Sequence, residues 1–210
     1  MGLLEREGEL AAAVGVLDRG GVFVVEGGAG IGKSALLDAV CGRAAQAGWQ
    51  VVRARGSELE AGFAFGVVRQ LFERHLAELD PDDRAELLSG PAAATRPLWG
   101  EAGAGAARDT SFAVLHGLYW LTANLAAAGP VLVVVDDAHW ADAPSLRWLA
   151  YLTPRMEGLA AGLLVAVRPA EPASGQDPLL AVRTEAAAVV EPRLLRQAAV
   201  TEMEIGRAHV

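Results

Sequence analysis

The sequence predicts a three-layer α/β sandwich around a central, mostly parallel sheet of about five strands. Three observations lead to this fold class. Short apolar runs alternate with longer segments of helical periodicity, as in strand–helix–strand units. The run at residues 131–135 is apolar without interruption, which is typical of strands buried on both faces. A glycine-rich segment at residues 27–34 lies between the first predicted strand and the following helix.

The elements are expected in regular order along the chain. The weakly patterned segment 89–109, rich in Gly, Ala and Pro, is predicted to be a partly mobile loop. Thr110 or Ser111 can cap the helix after it, and Asp142 can cap the next one. Helices are expected over residues 4–17, 33–47, 63–79, 81–88, 112–128 and 142–158, with a short one after 177. Strands are expected over residues 22–25, 49–55, 131–135, 163–167 and 187–190.

Residues 27–34 match the complete motif G-x-x-x-x-G-K-[ST], and we call them the phosphate loop. Glycines let several backbone N–H groups point at one anion, and the next helix adds its N-terminal dipole. In such a loop Lys33 reaches the β- and γ-phosphates, as a candidate catalytic residue, and the Ser34 hydroxyl ligates Mg²⁺. The predicted nucleotide-binding residues are Gly27, Gly28, Ala29, Gly30, Ile31, Gly32, Lys33 and Ser34.

Two carboxylates, Asp136 and Asp137, follow the uninterrupted apolar run. A strand buried on both faces has no room for them, so they belong at its carboxyl end, where open α/β sheets bind ligands. Downstream of a phosphate loop they match a Walker B acidic pair. We expect Asp136 to hold Mg²⁺, mostly through water, and Asp137 to orient or deprotonate an attacking water. The alternative is a solvated strand end without a ligand.

Three further residues near the predicted strand ends are candidates. Arg168 ends the strand after the acidic pair, where a cation can sense the γ-phosphate, and an ordinary surface arginine is the alternative. Trp140 is interpreted as a packing residue. For His139, one hypothesis is a relay of the nucleotide state to neighbouring segments, and the other is an ordinary loop residue.

The composition limits the partners and the location. A net charge of −8 does not fit a nucleic-acid surface, which needs clustered Lys and Arg, so no nucleic-acid partner is expected. The single cysteine, Cys41, excludes an intrachain disulfide, and the charged N-terminus lacks the apolar run of a signal peptide. Polar residues and Gly129-Pro130 interrupt the apolar region 112–135, so no membrane span is expected. We therefore expect a cytoplasmic protein.

Together these segments resemble the STAND branch of P-loop ATPases, found at the N-terminus of large ATP-binding LuxR-family transcriptional regulators and often grouped with Orc-like AAA ATPase domains. The sequence DDAHWAD at residues 136–142 is especially characteristic. The resemblance implies a P-loop fold, ATP and Mg²⁺ as cofactors, contact of residues 4–7, including Arg6, with the adenine, and Arg168 as the sensor ending the fourth strand. The matching segments are residues 4–7, 27–34, 56–58, 63–66, 131–140 and 163–169.

The chain departs from the resembling family in two ways. Gly28 stands where the family usually carries Glu. The lid, winged helix, helical repeats and helix-turn-helix of such regulators do not fit after residue 190, so we assign no DNA binding to this fragment. Residues 204–210 match the translation of a short-read sequencing adapter, and we expect a non-native tail after an ATPase domain of residues 1–203.

The expected function is binding of ATP and Mg²⁺, with slow hydrolysis as a conformational timer in a signal-responsive regulator. Hydrolysis by this fragment alone is expected to be weak or undetectable, and weak ATPase activity is expected in the full-length protein. Nucleotide-dependent self-association would belong to the full-length protein. One alternative is a P-loop phosphotransferase acting on a small molecule, for which segment 89–109 offers Arg96 and Arg108 as cations. Another is a non-catalytic interaction module that binds ATP or ADP structurally.

Overall fold

The computed structural model describes residues 6–17, 20–101, 112–169 and 177–192. Within them, the helices and strands alternate along most of the chain. In order they are α1 (Glu7–Leu17), β1 (Gly21–Glu26), α2 (Lys33–Gln46), β2 (Gln50–Arg55), α3 (Gly66–Glu78), α4 (Pro81–Leu87), α5 (Phe112–Ala128), β3 (Val131–Asp136), α6 (Ala143–Leu152), β4 (Ala161–Val167), α7 (Pro178–Thr184) and β5 (Ala188–Val190).

The five strands form one parallel sheet in the order β2-β3-β4-β1-β5. This confirms the predicted fold class. Although β1 and β2 are consecutive among the strands, β4 and β3 lie between them. Because β4 lies between β3 and β1, the carboxyl ends of these three strands are neighbours at one edge of the sheet.

Alternation of side chains along the central strands produces two hydrophobic cores, one on each face of the sheet. Val22 and Val24 of β1 pack into the core formed with α3, α5 and α6. Phe23 and Val25 point the other way, into the core formed with α1 and α2. Trp148 of α6 is fully buried in the first core. The two cores account for the uninterrupted apolar runs of the central strands.

Two sequence predictions are wrong, one about where a helix ends and one about a loop. The helix expected over 142–158 ends at Leu152 and continues as a 3₁₀ turn, Thr153–Arg155, whose Pro154 has no N–H to continue an α-helix. Part of the expected mobile loop is a 3₁₀ helix, Gly90–Trp99, packed on α5. Its close approach requires Gly117, where a Cβ would lie 3.0 Å from the carbonyl oxygen of Pro91.

Several expectations lie outside the described residues. These are the helix cap at Thr110 or Ser111, the cation Arg108 and the tail 204–210. Within the described ranges, no helix has the length and apolar content needed to cross a bilayer.

Candidate active site

The phosphate loop connects β1 to α2 at the carboxyl edge of the sheet. Gly30 and Gly32 have φ angles of +73° and +94°, in the left-handed region where glycine has no steric cost. The N–H of Gly27 donates to the carbonyl oxygen of Val167 over 3.1 Å, which ties the loop to the end of β4. At Gly28 no heavy atom lies within 4 Å of the position that a Cβ would take. The start of a side chain would therefore meet no neighbour there.

Lys33 begins α2 and is buried, with 6% of its surface exposed. Its Nζ donates to the carbonyl oxygens of Gly27 at 2.8 Å and Gly28 at 2.9 Å, so the ammonium lies inside the loop. Burial lowers the pKa of Lys33, and the nearby carboxylate of Asp137 opposes that shift. An anion entering the phosphate loop would thus meet both the backbone N–H groups and a partly desolvated ammonium.

A hydrogen bond joins the phosphate loop to the end of β3. The hydroxyl of Ser34 donates to Oδ2 of Asp136 over 2.8 Å, and the Asp136 side chain is almost fully buried. The two oxygens suit Mg²⁺, which usually takes one or two protein ligands beside water and phosphate oxygens. Among the residues described, no group of three or more His, Cys, Asp or Glu could hold a metal ion.

Asp137 follows β3 with a φ of +48°, an uncommon conformation that Asp tolerates better than most residues. Its Oδ2 accepts hydrogen bonds from Nε of Arg55 at 3.0 Å and from Nη2 at 2.7 Å. This hydrogen bonding raises the pKa of the Arg55 guanidinium. Arg53, two residues earlier on β2, places Nη2 3.5 Å from Oδ2 of Asp136. Each carboxylate of the acidic pair thus has an arginine from β2 beside it.

Two arginines predicted from the sequence also lie near the phosphate loop. Arg168 directly follows β4, is exposed, and its positive charge contributes to lowering the pKa of Lys33. Arg6 is buried, and its Nη2 donates to the carbonyl oxygen of Ile31 over 3.1 Å. The segment before α1 therefore contacts the loop, while contact of residues 4–7 with an adenine stays a prediction.

The connection from β2 to α3 begins in close contact with the turn after β3. The N–H of Gly56 donates to the carbonyl oxygen of Asp136 over 2.9 Å. A Cβ at Gly56 would lie 2.4 Å from the carbonyl oxygen of Asp137 and 2.9 Å from the nitrogen of Ala141. Only glycine permits this close approach of the two segments.

The other end of this connection is held by Asp142. Its Oδ1 accepts from the N–H of Phe65 at 2.7 Å, and its Oδ2 from that of Val67 at 3.1 Å. The same carboxylate caps α6 by accepting from the N–H of Ser145 at 2.9 Å. Asp142 is 2% exposed, and the predicted cap is confirmed. One buried carboxylate therefore fixes the start of α3 to the start of α6.

This geometry agrees with comparisons to known proteins. A family model described as AAA ATPase domain matches residues 3–166. The chain belongs to the AAA ATPase domain family. No curated protein matches it. Membership in the AAA ATPase domain family implies nucleotide binding, usually with Mg²⁺.

Solved structures with the same fold include Cdc6p and ORC. Cdc6p from Pyrobaculum aerophilum has a TM-score of 0.61 and 14% identity, over 99% of this chain and 50% of that one. Drosophila ORC bound to DNA has a TM-score of 0.51 and 18% identity, over 98% of this chain and 47% of that one. The AAA ATPase domain thus spans about half the length of these structures. At such identities the similarity concerns the fold.

The structure gathers the predicted residues of the phosphate loop, the acidic pair and Arg168 at one edge of the sheet. Their roles toward a nucleotide stay predictions. Sequence reasoning missed Arg53 and Arg55, although charged residues near the carboxyl end of a predicted parallel strand are a usable signal. It also missed that Asp142 accepts hydrogen bonds from the start of α3, since nothing in the sequence pairs positions 77 residues apart.

Proposed function

We propose that this AAA ATPase domain binds ATP with Mg²⁺ and hydrolyses it slowly, as the conformational timer of a signal-responsive transcriptional regulator. The observation that carries the proposal is the 2.8 Å hydrogen bond between Ser34 and Asp136. It brings a hydroxyl of the phosphate loop and a carboxylate of β3 to one point, as a magnesium–nucleotide complex requires. Bound Mg²⁺ would neutralise charge on the phosphates.

The other residues of the site would bind the phosphates or take part in hydrolysis. The Lys33 ammonium exchanges the carbonyl oxygens of Gly27 and Gly28 for phosphate oxygens, while the backbone N–H groups of the loop hold the same anion. Asp137 accepts the proton of the attacking water. Arg168 places a positive charge at the end of β4, where negative charge develops during phosphoryl transfer.

The ion pair between Asp137 and Arg55 supports slow rather than fast hydrolysis. Oδ2 of Asp137 accepts both hydrogen bonds from the Arg55 guanidinium, and these occupy lone pairs that an attacking water would otherwise use. To act as a base, Asp137 has to weaken this contact. The exposed position of Arg55 makes the contact accessible to change by a partner segment.

Two variants test this assignment. Asp137→Asn should lower the ATP turnover of the full-length protein by about 100-fold or more while changing its ATP affinity little, because it removes a general base but no phosphate contact. Arg55→Gln should raise the turnover and change stability by less than about 1 kcal/mol, since exposed ion pairs contribute little. Phosphate release under saturating Mg²⁺ and ATP measures both. Unchanged turnover in Asp137→Asn would contradict the assignment.

The phosphotransferase alternative has less support. It needs cations that are available to an acceptor or a transferred phosphate. Nη1 of Arg96 lies 2.8 Å from Oε2 of Glu101, and Arg84 binds the other oxygen of that carboxylate at 2.9 Å. Arg96 is therefore engaged in an ion pair away from the phosphate loop, which favours the ATPase proposal.

The regulator context rests on the resemblance of segments between residues 4 and 169 to STAND ATPases. Long-read sequencing of the source DNA past codon 203 tests it. We expect the reading frame to continue into a lid, helical repeats and a helix-turn-helix. A native stop codon directly after codon 210 would contradict this context and leave the ATPase proposal standing.

A further inference from the structure

Exposed apolar side chains form two pairs on the surface of the domain. In the part of the chain that the structure describes, six large hydrophobic side chains are exposed, and four of them are Leu59, Phe63, Phe112 and Trp120. Leu59 and Phe63, which are 91% and 67% exposed, belong to the connection from β2 to α3. Phe112 is 68% exposed and lies about two turns before Trp120 on α5. Isolated exposed apolar side chains are ordinary, whereas clusters of them mark interaction surfaces.

The first pair lies beside carboxylates. Residues 58–63, which we call the acidic segment, have the sequence ELEAGF and are all exposed. Glu60 accepts a hydrogen bond from the side-chain amide of Gln70 at 3.2 Å. No described residue forms an ion pair with Glu58. The acidic segment therefore presents two apolar side chains together with two negative charges, and Glu58 is available to a cation.

The second pair belongs to a surface of the opposite charge. We call Phe112, His116 and Trp120 of α5, together with Tyr151 and Arg155, the aromatic surface. α5, α6 and the 3₁₀ turn after α6 contain no Asp or Glu, although the whole chain has 26 acidic residues. The guanidinium carbon of Arg155 lies 3.7 Å from the centre of the Tyr151 ring, and no described carboxylate forms an ion pair with it. The aromatic surface thus combines apolar rings with a positive charge.

Hydrogen bonds and ring contacts order the side chains of the aromatic surface. Nε1 of Trp120 donates to Nε2 of His116 over 3.0 Å, and Nδ1 of the same imidazole lies 3.1 Å from the hydroxyl of Tyr151. The Phe112 ring stacks on His116 with the centroids 5.5 Å apart. Side chains that are already ordered lose little conformational entropy on binding. Trp, Tyr and Arg are also the residue types that most often carry the binding energy of an interface.

The acidic segment and the aromatic surface lie toward opposite edges of the sheet. The acidic segment follows β2 and therefore begins at the carboxyl edge. α6 starts after the carboxyl end of β3, and the chain beyond it enters β4 at the amino edge. Tyr151 and Arg155, at the end of α6 and in the turn after it, thus lie toward the amino edge. This arrangement suits contact between two molecules in a head-to-tail orientation.

We propose that two copies of this chain bind head to tail, with the acidic segment of one copy on the aromatic surface of the next. Leu59 and Phe63 pack on the aromatic rings. Glu58 pairs with Arg155, which fixes the orientation of the two copies. The contact is heterologous, so each end of the dimer keeps one surface for a further copy. This inference goes beyond the proposed function and does not rest on nucleotide binding.

The association is expected to be weak, because both surfaces are small and such interfaces belong to transient complexes. A Kd on the order of 100 μM corresponds to such a contact. Sedimentation velocity of the whole chain without nucleotide, at about 10 to 500 μM, covers this range. We expect the average mass of the wild type to rise with concentration. Added salt should weaken the association by screening the ion pair.

Two double variants remove one surface each. Leu59→Ser with Phe63→Ser alters the acidic segment, and Phe112→Ser with Trp120→Ser alters the aromatic surface. Each should stay monomeric at the concentrations where the wild type associates. Leu180→Ser is the matched control, because Leu180 is an exposed apolar residue of α7 outside both surfaces. It should associate as the wild type does.

An equimolar mixture of the two double variants tests which surface binds which. One variant keeps the aromatic surface and the other keeps the acidic segment, so the mixture should form a dimer and no larger species. This recovery also shows that both variants are folded. Arg155→Glu should raise the Kd of self-association by about 10-fold or more, because it places like charges opposite one another.

A wild type that stays monomeric over the whole concentration range would overturn the proposal. Association that survives both double variants, or an unchanged Kd in Arg155→Glu, would also overturn it. If each double variant is monomeric and their mixture is monomeric too, the two surfaces do not bind each other and the proposal fails. These results do not bear on nucleotide binding, since no nucleotide is present.

Discussion

Replacing Lys33 by alanine is expected to lower the affinity of the chain for ATP by about 100-fold or more. Truncating one partner of a buried, hydrogen-bonded charge pair costs about 2–5 kcal/mol, and each 1.4 kcal/mol is tenfold in Kd. Lys33 is the single lysine of the sequence, and its ammonium already lies inside the phosphate loop. Arg6 also contacts the phosphate loop, through the carbonyl oxygen of Ile31.

Thermal unfolding with and without Mg²⁺ and ATP measures this effect. At 100 times Kd a ligand stabilises the folded state by about 2.7 kcal/mol, so the shift should be large for the wild type and nearly absent for Lys33→Ala. Arg43→Ala is the control, since it removes one positive charge from an exposed position in the last turn of the same helix. A wild-type shift in Lys33→Ala would exclude the phosphate loop as the binding site.

Much of the fold could be predicted because the sheet is parallel and covered on both faces. Burial on both faces makes the strands uninterrupted apolar runs, which the sequence displays openly at β3 and β4. The strand order could not be predicted, since it depends on which apolar faces meet in three dimensions. The 3₁₀ helix Gly90–Trp99 was missed because its Pro and Gly content is typical of loops, whereas packing against Gly117 of α5 determines its conformation.

The candidate active site, like the fold, could be predicted only in part. The phosphate loop and the acidic pair could be predicted because each is a local pattern attached to a strand end. Arg53 and Arg55 approach the acidic pair because β2 lies beside β3 in the sheet. The sequence does not reveal this strand order. Nor does the sequence show that both ring nitrogens of His139 are buried without a hydrogen-bond partner. Such features become visible only when the neighbours of each side chain are known.

Asp142→Ala is expected to lower the free energy of unfolding by about 3–5 kcal/mol, because it leaves three N–H donors without an acceptor in the protein interior. These belong to Phe65, Val67 and Ser145, at 2.7, 3.1 and 2.9 Å from the carboxylate. Phe65 holds a φ of +61° that this contact supports. Urea unfolding of the chain measures the loss, which is a large part of the stability of an ordinary domain.

Asp80→Ala is the matched control, because it removes another aspartate that caps a helix. Asp80 caps α4 at an exposed position and accepts from two N–H groups of its own helix, at 3.0 and 2.9 Å. Water can replace it there, so we expect a loss of about 1 kcal/mol. If both variants lost the same free energy of unfolding, Asp142 would be an ordinary helix cap. A larger loss in Asp142→Ala would show that the carboxylate fastens the start of α3 to the start of α6.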